Sequence, residues 1–87
     1  MLKKIKNIIN EWDPIGLISI HAPDDEYLKE IQNIYNYIYE NNNIKIDELS
    51  LKIYSIFCES FGNEVFTADV KKCNKIAKKI YKTIKSI

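Results

Sequence analysis

Trp12-Asp13-Pro14-Ile15-Gly16-Leu17 is the stretch on which the reading of the fold turns. Upstream of it, Leu2, Ile5, Ile8, Ile9 and Trp12 recur at helical spacing, with Lys3, Lys4, Lys6, Asn7 and Glu11 between them. That spacing predicts an amphipathic helix. Pro14 disfavours helical geometry in the residue before it, so the helix should stop near Trp12. Asp13 is then placed to cap a short turn with Pro14 at its first position. Gly16 allows a tight bend. Ile15, Leu17, Ile18 and Ile20 are apolar, so this connector is expected to lie on the core.

Downstream, Ala22-Pro23-Asp24-Asp25-Glu26-Tyr27 resembles a helix start, with negative charge at the positive end of the dipole. Tyr27, Leu28, Ile31, Ile34, Tyr35 and Ile38 repeat at helical spacing, and the start lies anywhere from Pro23 to Leu28. Tyr35, Tyr37 and Tyr39 alternate as in a strand, but the longer period favours helix. Asn41-Asn42-Asn43 reads as a turn. Asp47 is expected to cap a third helix that runs to about Phe61, with Gly62 just past its end. This helix has two apolar stripes, Leu49, Ile53, Ile56 with Phe57, and Leu51, Tyr54, Cys58, Phe61. It is therefore expected at the centre. Thr67 is expected to cap the last helix, with Asp69 in its first turn. Val70, Cys73, Ala77, Ile80, Ile84 and Ile87 form its apolar face, widened by Ile76 and Tyr81. The expected fold is all-α, a single domain over residues 1–87 built as a four-helix bundle or irregular four-helix array.

An apolar fraction of 46% supplies a core and argues against disorder. No apolar run approaches the roughly 18–20 residues of a membrane span. The N-terminus is basic but has no signal-peptide pattern, so the expected compartment is the cytoplasm and no membrane partner is expected. Cys58 and Cys73 belong to no metal-binding pattern and are expected to be free, buried thiols. All thirteen basic residues are Lys. Arg is the preferred residue for bidentate phosphate and base recognition, so its absence weakens a nucleic-acid reading. Charge is uneven. Residues 1–10 carry three Lys, residues 11–64 carry eleven acids against three Lys, and residues 65–87 carry seven Lys against Asp69.

The run Trp12-Asp13-Pro14-Ile15-Gly16-Leu17, then Ala22-Pro23 and Asp25-Glu26-Tyr27, resembles the YugE-like family of small bacterial and archaeal proteins, a domain of unknown function. The later order, Ile53-Tyr54 through Phe57 and Phe61-Gly62, is similar too, so the resemblance spans nearly the whole chain. It implies an all-helical fold and supplies no activity, cofactor or catalytic residue. Leu28 departs from the polar residue that the family often carries after the acidic Tyr, which leaves the second helix's start open.

Each candidate residue has a functional and a plain reading. Trp12 is either a partner-binding anchor or a plug for the end of the first helix. Asp13 is a site carboxylate or a turn residue. His21 has no second His or nearby Cys and reads as a surface loop residue. Asp24, Asp25 and Glu26 are solvated helix-start acids or a protein-partner patch. Their spacing matches no calcium loop, so no metal and no cofactor is expected. The chain lacks nucleophile–base pairs and phosphate-cradling glycine loops, so it reads as no enzyme. The first expectation is a protein-binding module that meets a basic partner through Trp12, Asp13, Asp24, Asp25, Glu26 and Tyr27. An immunity-type inhibitor of a toxin is one specific version. The alternative is weak nucleic-acid association through Lys71, Lys75, Lys78 and Lys82, which the absence of Arg does not favour. A homodimer is a further expectation.

Overall fold

Leu2–Trp12 (α1), Leu28–Glu40 (α2), Ile46–Phe61 (α3) and Val70–Lys85 (α4) are the helices of the computed structural model. It describes residues 2–16, 26–41, 43–62, 64–66 and 69–85, and none of these forms a strand. The all-α, four-helix reading holds.

In α1, Ile5 and Ile9 are wholly buried one turn apart, each contributing about 1.5–3 kcal/mol of apolar burial. Leu2, Ile8 and Trp12 pack at the edges. The helix ends where Pro14 demands, and Asp13 opens the expected short turn with Pro14 at its first position. The Asp13 N–H still donates to Ile9 O at 2.8 Å, while its φ of +47° is left-handed. Asp13 is thus the residue that terminates α1, a conformation that Asp tolerates better than most L residues. A turn follows, closed by Gly16 N–H to Asp13 O at 3.1 Å, with Gly16 at φ +82°.

α2 begins at Leu28, the latest of the starts open to the sequence. Pro23, Asp24 and Asp25 lie outside the described residues, and Glu26 is exposed ahead of the helix. Ile31 and Ile34 are buried, whereas Tyr39 is exposed and stacks on Tyr35 with ring centroids 6.3 Å apart. That one-turn pairing is helical, and the strand-like alternation of the tyrosines carries no weight against it.

α3 starts after Lys45, whose backbone is extended and whose side chain makes no cap. Asp47 sits inside the first turn beside Glu48 instead of capping it. The entry is fixed by apolar contact: Ile44 before the cap and Leu49 in the first turn are both buried in the core, the positions of a hydrophobic staple. At the other end Gly62, at φ +79°, donates its N–H to Cys58 O at 2.8 Å. For α4 the cap is Asp69, whose Oδ1 accepts from Lys72 N–H at 2.9 Å. Thr67, the expected cap, lies outside the described residues.

The helices close a ring in which α1 meets α2 and α4, and α3 meets α2 and, most extensively, α4. α3 is therefore one of four staves around the core and not its centre. Its first stripe, Leu49, Ile53, Ile56 and Phe57, is buried. Of its second, Tyr54, Cys58 and Phe61 are half-buried and Leu51 is exposed. Ser50 Oγ donates to Val70 O at 3.2 Å and Asn74 Nδ2 to Asp47 Oδ1 at 3.3 Å. Position rises along α4 as it falls along α3, so the two run in opposite senses. Phe66, in the connection between them, is buried.

Candidate functional site

Asp13 and Ile15 of the quoted stretch converge on one phenol. Tyr27 is wholly buried. Its hydroxyl donates to Asp13 Oδ1 at 2.6 Å and accepts from Ile15 N–H at 3.1 Å. The short O–H to carboxylate distance is that of a charge-assisted hydrogen bond. One side chain thereby engages the carboxylate that ends α1 and the second amide beyond it, across fourteen and twelve residues of sequence. The phenol holds the Asp13–Gly16 turn against the N-terminus of α2. Tyr27, named above as a partner contact, is a core residue, and Asp13 carries a structural bond.

Trp12 is half-buried. Its indole meets Phe57 edge-on at 5.4 Å and Phe66 edge-on at 6.0 Å. It therefore plugs the core against α3 and the following connection. Phe57 is the hub of this group. It stacks on Phe66 at 5.3 Å and on Phe61 at 6.0 Å, and meets Tyr27 edge-on at 6.0 Å. Such pairs add about 0.5–1.5 kcal/mol each beyond their burial. The indole and the turn are thus set on a rigid base.

The outer side of that turn faces α4. Trp12, Asp13 and Pro14 form one wall of an open groove of about 510 Å³, and Lys72, Lys75, Ile76 and Lys79 form the other. Ile76 is buried and the lysines are exposed. The sequence reading named Trp12, Asp13 and Lys75 as candidate contacts; Pro14 entered it only as a helix stop and Ile76 only as part of an apolar face, and Lys72 and Lys79 were not singled out. Lys71, Lys78 and Lys82 are exposed elsewhere around α4 and do not line the groove. Of the acidic cluster, only Glu26 falls within the described residues.

Two other polar groupings belong to the fold. Glu30 is buried at 4% exposure, and its Oε2 accepts from Ser60 Oγ at 3.0 Å, tying α2 to the end of α3. Cys58 and Cys73 are free thiols as expected, but Cys58 is only half-buried. Burial, with the charges of Cys58 and Asp69 adding, pushes the Cys73 thiol up to about 11. The Tyr54 phenol is raised as well, first by its hydrogen bond with Cys58. Among the described residues no group of three or more His, Cys, Asp or Glu side chains is arranged to hold a metal ion. His21 lies outside them. No described helix is long and apolar enough to cross a membrane.

No curated protein and no solved structure matches the chain. A family model described as a domain of unknown function, DUF1871, matches residues 4–86. With a match over nearly the whole chain, and the four-helix fold in place beneath it, the protein belongs to the DUF1871 family.

Proposed function

We propose that the protein is a non-enzymatic, cytoplasmic binding module for another protein, and that its contact surface is the outer side of the Trp12–Pro14 turn with the rim beside it. The quoted motif is also our ground for assigning it to the YugE-like proteins of bacteria and archaea. The observation that carries the binding reading is the division of labour within the motif. Tyr27 and the bonded Oδ1 of Asp13 act inward, while half-buried Trp12 and Pro14 line an open groove. A rigid aromatic edge beside a concavity is the usual form of an interface anchor, because little conformational entropy is lost when it is covered. Glu26, next to Tyr27 in the chain, is exposed. The toxin-inhibitor version rests on Asp24 and Asp25 together with Glu26.

Position-specific photo-crosslinking in the native cell tests this. A photoreactive residue at exposed Glu11 or Glu26, which flank the motif, should capture one common protein. The same group at Glu48, exposed at the start of α3, should not. Capture that is equal at all three positions, or absent at all three, overturns the proposal.

A second reading, nucleic-acid association, is favoured by one observation: Lys71, Lys75, Lys78 and Lys82 are all exposed along three turns of α4. It requires a gel shift at low salt that fades steeply as salt rises.

A further inference from the structure

Among the described residues, the charges that line the groove with Trp12 are Asp13 and three lysines of α4. Asp13 has its Oδ1 engaged by Tyr27. The exposed charges on the facing wall are Lys72, Lys75 and Lys79. We infer that this groove takes an acidic peptide segment carrying an apolar side chain. The apolar group seats against Trp12, Pro14 and Ile76, and the segment's carboxylates meet the three lysines. The inference rests on the protein-binding reading above and names the chemistry of the partner.

Three features select a peptide over a nucleic acid. The lysines fall at i, i+3 and i+7 of α4 and span about 10 Å along its axis, enough for a few residues of extended chain and short for a phosphate track. The opposite wall contains the Asp13 carboxylate, which repels a continuous line of phosphates but leaves room for an apolar group with acids on one side only. The residue of choice for nucleic-acid recognition is Arg, whose planar fork pairs bidentately with phosphates and base edges, and the chain has no Arg. The volume, about 510 Å³, lies within the range in which side chains and small ligands are held.

Trp12 is the chain's single Trp and reports the groove directly. The probe is a short fluorescein-labelled peptide of glutamates around one phenylalanine, followed by anisotropy, with an unlabelled copy for Trp12 emission. The wild-type protein should bind it with a change in Trp12 emission. K72E/K75E/K79E should weaken binding about tenfold or more. K71E/K78E/K82E, an equal change of net charge outside the groove, should keep affinity within about threefold, the difference that screened remote charges leave. Circular dichroism verifies that each variant is helical, and single K75E serves if the triple variant is not. Replacing the phenylalanine of the probe by serine should abolish the Trp12 response.

The inference is overturned if the wild type does not bind the probe or if both triple variants weaken equally. It is also overturned if the serine probe binds as well, or if a single-stranded oligonucleotide of equal charge displaces the peptide at lower concentration. Failure here with position-specific crosslinking intact removes the acidic segment and leaves the binding module. Failure of both removes the module.

Discussion

The hydroxyl of Tyr27 lies 2.6 Å from Asp13 Oδ1 and joins the residue before α2 to the residue after α1. The same oxygen accepts the N–H of Ile15, so both hydrogen-bonding capacities of the phenol serve a single turn. Removing that oxygen leaves a carboxylate and an amide without it in a partly buried site, at a cost of about 1–3 kcal/mol. Tyr27→Phe keeps the ring and its edge contacts with Phe57 and Phe61. Urea unfolding should show a loss of about 2 kcal/mol with an unchanged slope.

Asp13 combines a left-handed backbone with the acceptor role, and substitutions separate the two. Asp13→Gly removes the carboxylate and relaxes the backbone. Asp13→Ala removes the carboxylate and retains a Cβ at φ +47°. Ala should be less stable than Gly by about 1 kcal/mol, and Asp13→Asn should be the mildest of the three. Thermal or urea denaturation orders them. An Ala variant at least as stable as the Gly variant contradicts the backbone assignment.

Glu30 and Ser60 form a polar tie between α2 and α3. Ser60→Ala should destabilise by about 1–2 kcal/mol, because it strips a hydrogen-bond donor from a buried carboxylate. The same change in a Glu30→Gln background should cost less, since a neutral amide is cheaper to leave without that donor. A double-mutant cycle measures the difference. A coupling of zero means that the bond contributes nothing.

The buried thiol of Cys73 makes a statement about pH. Its folded value, about 11, lies above the ordinary 9.0, so the unfolded chain releases the proton first as pH rises. Stability is therefore retained below about pH 9 and declines between pH 9 and 11. Cys73→Ala should flatten this decline relative to the wild type, and the comparison cancels the lysines and tyrosines that titrate nearby. In the native protein at pH 8, a thiol reagent should modify half-buried Cys58 well before Cys73. Equal rates contradict the burial.

The helices were readable because their information is local. Pro14 ended α1, Gly62 ended α3, and the apolar faces of Ile5 with Ile9 and of Cys73, Ala77 and Ile80 followed from spacing alone. The start of α2 was not readable, because Pro23 with its acids and the Tyr27–Leu28 step carry equally good helix-start chemistry. The role of Tyr27 was hidden for a different reason. A Tyr near acids looks the same in sequence whether its hydroxyl meets solvent or a carboxylate fourteen residues away. Lys72 and Lys79 were passed over for Lys71, Lys78 and Lys82 because the polar face of α4 is lysine-rich all round. Only the packing of the Trp12–Pro14 turn distinguishes one lysine row from another. Phe66 and Ile44 are buried single residues in connections, where there is no period to announce them.

The central claim is that the Tyr27 hydroxyl fastens the turn that carries Trp12, and the amide of Ile15 reports on it most directly. Hydrogen exchange at that amide, compared between the wild type and Tyr27→Phe under conditions that keep both folded, isolates the bond. The account predicts a protected Ile15 amide in the wild type and loss of that protection in Tyr27→Phe, beyond any change at the α3 amides. An Ile15 amide that exchanges freely in the wild type, or one equally protected without the hydroxyl, contradicts it.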